Sequence, residues 1–220
     1  MVLAFDIYGT LIDPYSMEAN LERAFGSSAR EAAELWRDKQ LEYSFRRGLM
    51  RSYVDFNTCT AQALDYVSLR LAIPISDDER RRLLDDYLRL PAFPEVPAAL
   101  EALSGRGYDL LAFSNGTEGA VRGLLDRAGV LHRFREIVTV EAVRSFKPSP
   151  LVYEHLLARA GAPKESTWVI SGNPFDVIGA KACGLGAAWV RRDNRRVFDP
   201  WEYSPDLTVS SLLELSGHRF

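Results

Sequence analysis

The run VLAF at positions 2–5 is apolar at every residue and stops at Asp6. A strand facing water on one side alternates apolar and polar residues, whereas a strand buried on both faces reads as a continuous apolar run. Similar short runs recur at 108–113 (YDLLAF), 167–170 (TWVI) and 187–190 (AAWV). Helical patterns at 119–128, 150–160 and 175–183 separate them. This alternation predicts an α/β fold built on a doubly wound parallel sheet.

The alternation lapses once. From about 16 to 90 the chain shows no strand pattern, only helical spacing: Leu35, Trp36, Leu41 and Phe45, then Leu64, Val67 and Leu71, then Leu83, Leu84, Tyr87 and Leu88. Pro74 with Ser76 opens the last of these helices, and Pro91, Pro94 and Pro97 mark the return. The expected organisation is a Rossmann-like core at 1–14 and 92–220 with an inserted all-helical cap subdomain at 15–91. Such a cap would keep water from a site beneath it.

Composition removes several classes of function. A formal charge of −3 on 220 residues gives no electrostatic footprint for nucleic acid or an anionic membrane. The arginines at 80–82 and Arg191, Arg192, Arg195 and Arg196 read as solvated surface. Cys59 and Cys183 lie far apart with no CxxC pair, and both read as reduced core thiols. His132, His155 and His218 show no mutual spacing that would make a metal site or a triad. The N-terminal apolar run is too short for a signal peptide, and no apolar stretch approaches the ~20 residues of a membrane span. A cytoplasmic enzyme is expected.

In open α/β sheets, ligands bind beyond the carboxyl ends of the strands. Asp6, Ser114 and Ser171 each follow an apolar run and should reach that edge, while Lys147 sits just before a helix opened by Pro148 and Pro150. Each has an ordinary alternative reading. Asp6 with Gly9 could be a turn, Ser114-Asn115-Gly116 a cap and turn, Lys147 and Arg37 surface cations, and Asp176 a first-turn acid. The convergence of Asp6, Ser114, Lys147 and Asp176 is what makes a site.

The ordered series AFDIYGTL, FSNGT, SFKPSPLVY and SGNPFDVIGA resembles the four motifs of the haloacid dehalogenase superfamily. LWRDKQLEYSF at 35–45, together with the DxYGT of the first motif, is similar to the L-2-haloacid dehalogenase family in particular. The resemblance extends to PDLTVSSLLEL near the C-terminus. Two positions depart from that family: Ile7 stands where alanine is frequent and Gly172 where serine is.

Phosphatases of the superfamily carry DxD in the first motif, the second acid protonating a basic leaving group. Tyr8 occupies that position, and a departing halide needs no proton. The fourth motif of those phosphatases carries two acids that help hold Mg2+; here Gly172 replaces one and only Asp176 remains. The resemblance therefore implies a metal-independent enzyme without a cofactor.

A carboxylate is already ionised at neutral pH, so Asp6 can attack C2 of a small 2-haloacid without an activating base, giving an ester, halide and inversion. Two like charges at ~4 Å repel by roughly 4 kcal/mol at an effective dielectric of about 20, which Lys147 would offset. Ser114 and Asn115 would bind the substrate carboxylate. Arg37 would receive the halide, with Asn115 and the edge of Phe175 completing the cradle. Asp176, positioned with Asn173, would act as base or water-orienting group for ester hydrolysis. Thr10, Ser171 and Tyr153 would tune hydrogen bonding, and Tyr8 would shape the pocket. The family further implies a homodimer formed through the cap. A Mg2+-dependent phosphatase of a small metabolite and a non-catalytic binding protein on the same scaffold are the competing readings.

Overall fold

The computed structural model describes residues 1–220. Six parallel strands, β1 (Val2–Asp6), β2 (Asp109–Ser114), β3 (Glu136–Thr139), β4 (Thr167–Ser171), β5 (Gly186–Val190) and β6 (Leu207–Val209), form one sheet. Their order is β3-β2-β1-β4-β5-β6. The chain builds outward from β1 through β2 to β3, then crosses back to place β4 on the other side of β1. The switch point thus lies between β1 and β4, where a doubly wound sheet opens its ligand crevice. Asp6 pairs with Phe113 across β1 and β2, so Asp6, Ser114 and Ser171 end neighbouring strands at one edge.

Four of the six strands coincide with the predicted runs; β3 and β6 carry no continuous apolar run and were not anticipated. Between β1 and β2 lie α1 (Met17–Phe25), α2 (Ala29–Leu49), α3 (Phe56–Leu71) and α4 (Asp77–Tyr87), followed by α5 (Val96–Gly105). Neither α1 nor α5 was read from the sequence. The start of α4 follows the Ser76 signal: Ser76 Oγ accepts from the Glu79 N–H while the Glu79 carboxylate accepts from the Ser76 N–H. The remaining helices are α6 (Glu118–Arg127), α7 (Pro150–Ala160) and α8 (Pro174–Ala182). Pro150 and Pro174 open the last two, where a missing N–H costs nothing.

On α2 the buried line differs from the expected one. Leu35, Leu41 and Phe45 are only half-buried, while Ala33, Trp36, Arg37, Gln40 and Ser44 face inward. One apolar cluster runs from Phe5 and Val169 through Tyr8 to Trp36, Phe56 and Leu64, joining the sheet to these helices. Both cysteines are free, but only Cys59 is core; Cys183, at the C-terminal end of α8, is half-buried, which corrects the sequence reading. No helix is long and apolar enough to cross a membrane.

Candidate active site

Asp6 ends β1, 6% exposed, and its two oxygens have unequal surroundings. Oδ2 accepts from Thr10 Oγ1 at 2.7 Å, Asn173 Nδ2 at 2.7 Å and Ser171 Oγ at 3.2 Å. Oδ1 accepts only from Lys147 Nζ, at 3.1 Å. Both hydroxyl donors are oriented by the backbone. Thr10 Oγ1 accepts the Gly172 N–H at 2.8 Å and Ser171 Oγ accepts the Asn173 N–H at 3.1 Å, leaving each hydroxyl proton free to point at Asp6.

Lys147 is 1% exposed and spends all three ammonium protons inside the chain. They go to Asp6 Oδ1, to Asp176 Oδ2 at 2.9 Å and to the Phe113 carbonyl at 2.9 Å. Its ammonium also lies 3.8 Å from the centroid of the Phe113 ring. Lys147 therefore offsets charge but has no proton left for a ligand. Asp176, in the first turn of α8, accepts Lys147 on Oδ2 and the Tyr153 hydroxyl on Oδ1 at 2.9 Å. Complete burial raises the Asp176 carboxyl above its ordinary range, with the Lys147 cation opposing that rise. Burial, followed by the Asp176 charge, drives the Tyr153 phenol well above its ordinary value, so it stays a donor.

Arg37 reaches across from α2. Its Nη2 donates to the Tyr8 carbonyl at 3.2 Å, an oxygen that also accepts Asn173 Nδ2 at 2.9 Å. It is 6% exposed and has no carboxylate partner. A buried, unpaired guanidinium is a ready anion site. Asn115 Oδ1 accepts the Lys147 backbone N–H at 2.9 Å, which leaves its Nδ2 without a partner in the chain. Ser114 Oγ closes a turn on the Gly116 N–H at 2.9 Å, close to the ordinary reading of that motif. The Tyr8 ring packs between Phe56 at 5.7 Å and Tyr87 at 5.8 Å, and burial raises its phenol strongly. Phe175 is half-buried against Phe45 of α2 at 5.0 Å and stands outside this hydrogen-bond network.

A divalent cation beside Asp6 does not fit these residues. Asn173 Nδ2 bridges Asp6 Oδ2 and the Tyr8 carbonyl, so an amide donor holds together the two oxygens a cation would need. No group of three aspartate, glutamate, histidine or cysteine side chains is placed to hold a metal ion. At Gly172 an added Cβ would meet the Gly9 carbonyl oxygen at 2.3 Å, so this backbone path excludes a side chain there.

Sequence reasoning missed three contributors. Gln40 is fully buried and accepts Arg37 Nη1 at 2.7 Å. Arg192 is not a solvated arginine: its Nη2 donates to the Thr10 carbonyl at 2.6 Å, its guanidinium lies 3.9 Å from the Phe93 centroid, and Nη1 pairs with Glu95. Arg196 donates to the Gly172 carbonyl at 3.2 Å. Arg192 and Arg196 thus brace the two loops that carry Thr10 and Gly172, and only their tertiary setting reveals it.

The model of the haloacid dehalogenase-like hydrolases matches residues 1–184. The chain is 39% identical over 207 residues to haloacetate dehalogenase H-2 of Moraxella sp. (strain B), covering 94% of this chain and 92% of the relative. It is 36% identical over 210 residues to the (S)-2-haloacid dehalogenase of Pseudomonas sp. (strain YL), covering 96% and 90%. Among solved structures, L-2-haloacid dehalogenase from Xanthobacter autotrophicus with chloropropionic acid covalently bound superposes with a TM-score of 0.93. That match has 29% identity and covers 99% of this chain and 98% of the other. The chain is a member of the haloacid dehalogenase-like hydrolases and, within them, of the (S)-2-haloacid dehalogenase family.

Proposed function

We propose that the protein hydrolyses short L-2-haloalkanoic acids to D-2-hydroxy acids and halide, without a metal. The observation that carries this reading is the amide of Asn173 bridging Asp6 and the Tyr8 carbonyl. With Tyr8 in place of a second acid, the site supplies a nucleophile but no acid to protonate a phosphate-ester leaving group, and the Asn173 amide takes the oxygens that would hold a divalent cation. The covalent adduct seen in the Xanthobacter relative supports an ester route.

Asp6 Oδ1, with one hydrogen bond against three on Oδ2, is the attacking atom. It bonds to C2 as the carbon–halogen bond breaks, and the halide leaves with the electron pair toward Arg37. Oδ2 then becomes the ester carbonyl oxygen. Water adds to the Asp6 carboxyl carbon and gives a proton to Asp176, whose burial makes it a stronger base than an ordinary carboxylate. Negative charge grows on Oδ2, inside the cradle of Thr10, Ser171 and Asn173, which works as an oxyanion hole. The bond between the carboxyl carbon and the substrate oxygen breaks, the alkoxide takes up the proton, and the 2-hydroxy acid departs. Asn115 Nδ2 and Ser114 receive the substrate carboxylate, and Tyr8 and Phe175 wall the pocket.

In the same reading, residues 15–91 form a cap on a core of 1–14 and 92–220, excluding water during the first step. Its α2–α3 face pairs two copies into a homodimer, and the enzyme works in the cytoplasm. No feature of the site favours the phosphatase or the non-catalytic reading.

The test is halide release from both enantiomers of 2-chloropropionate, with and without chelator, followed by one turnover in 18O-water. Release from the L form that survives chelation, with label recovered in Asp6, is expected. Label found only in the hydroxy acid would sink the ester route, and loss of activity on chelation would sink metal independence.

A further inference from the structure

The inward face of α2 carries a polar line, Arg37, Gln40 and Ser44, in a position where packing calls for apolar residues. Gln40 is 0% exposed, and its side-chain hydrogen bonds all run to residues of the helical layer. Its Oε1 accepts two donors, Arg37 Nη1 at 2.7 Å and the Tyr87 hydroxyl at 3.0 Å. Its Nε2 donates to Thr60 Oγ1 at 2.5 Å, and Thr60 in turn donates to the Phe56 carbonyl at 2.8 Å. Two donors on one oxygen and one acceptor for the amide fix which way the side chain points. Tyr87 is itself held, its ring packed on Tyr8 and on Trp36 at 5.2 Å.

We infer that Gln40 is the positioning residue for Arg37, and that its neutrality is what leaves the guanidinium charge free for a departing halide. The inference rests on the dehalogenase reading above. Arg37 has two fixed hydrogen bonds, to Gln40 and to the Tyr8 carbonyl, and both acceptors are uncharged. A carboxylate at position 40 could accept the same hydrogens but would pair the cation. An aliphatic residue there would leave the guanidinium free to swing. Gln40 orients Arg37 without quenching it and never touches the substrate.

The two substitutions that separate these effects are Gln40→Glu, which keeps shape and acceptor, and Gln40→Leu, which removes all three hydrogen bonds. The measurements are kcat and KM for the 2-chloro and 2-bromo acids, with thermal melts to confirm folding. Chloride, the poorer leaving group, depends more on a stabilising cation than bromide does. In both variants kcat on the chloro acid should fall about tenfold to a hundredfold. KM should stay within about threefold and the bromo-to-chloro kcat ratio should rise by about threefold or more. A role confined to folding would lower both substrates alike. If Gln40→Leu does not fold, Thr60→Val, which loosens the amide from one residue further away, should move the ratio in the same direction by less. An unchanged ratio in folded Gln40→Glu overturns the inference alone. An unmodified enzyme that releases no halide from any acid overturns the dehalogenase reading and the inference with it.

Discussion

Lys147 joins two carboxylates that differ in their use. Asp6 keeps a solvent-facing edge and one lightly bonded oxygen, while Asp176 is sealed, its oxygens held by Lys147 and Tyr153. Burial raises Asp176 above 3.8, and the neighbouring cation restrains the rise. The base form therefore appears as pH climbs through the raised value. The acidic limb of kcat should lie above the ordinary carboxylate value of about 3.9. For stability the sign is opposite to that of an acid with a lowered value. The folded state still holds the Asp176 proton at pH values where the unfolded chain has released it, so this group makes stability fall as pH rises from 3.8 through the folded value. Asp176→Asn should abolish turnover yet still release about one equivalent of halide per site, because the first step needs no base. Steady turnover by that variant in a rapid-quench assay would remove Asp176 from the second step. Asp6, Lys147 and Asp176 were legible in the sequence because strand and helix ends deliver them to one edge. Gln40 and Arg192 were not, since a polar residue on a helix or loop reads as solvated until the fold encloses it.

Glycines set how closely the elements approach. Gly179 of α8 lies against Tyr153 of α7, and an added Cβ would meet the tyrosine oxygen at 2.3 Å. Replacing glycine by alanine inside a helix ordinarily stabilises by about 1 kcal/mol. Here overpacking, typically about 1–3 kcal/mol, should win. Gly179→Ala is expected to lower the melting temperature and, by pushing the Tyr153 hydroxyl off Asp176, to slow ester hydrolysis more than halide release. An unaltered or higher melting temperature would show that α7 and α8 can part freely. The same scale explains which elements could be read in advance. β1, β2, β4 and β5 are flanked on both sides and carry continuous apolar runs. β3 and β6 are the two outermost strands, short and partly exposed, with sequences EIVT and LTV that need no such run. α5 begins inside the proline-rich return after α4, where prolines read as turns although Pro97 sits in its first turn.

At the scale of the whole molecule, the helical layer α1–α4 meets the strand edge through a few contacts at the site itself. These include Arg37 on the Tyr8 carbonyl, Phe45 on Phe175, the stack of Tyr8 with Phe56 and Tyr87, and Tyr53 and Phe56 on Phe146. Chemistry on a buried ester depends on that layer staying in register, so whatever steadies α2 steadies Arg37. The outer face of α2 and α3 offers a surface for this. Arg47 donates to Gln62 at 3.0 Å, Tyr43 meets Tyr66 edge-on at 6.3 Å, and Lys39 covers Tyr66 at 4.5 Å. These contacts line up one strip of the two antiparallel helices. Met50 and Leu69, at 71% and 81% exposure, are apolar side chains of this helix pair left open to water. A second copy seated there would bury both residues and brace α2 from behind. Light scattering should therefore give twice the chain mass, and Met50→Glu with Leu69→Glu should give the single mass. Because the strip lies outside the site, the monomeric variant should keep Asp6 chemistry while kcat drops several-fold as α2 loosens. A native protein that is already monomeric at micromolar concentration, with full turnover, would show that the apolar cluster shared between sheet and helices holds Arg37 in place unaided.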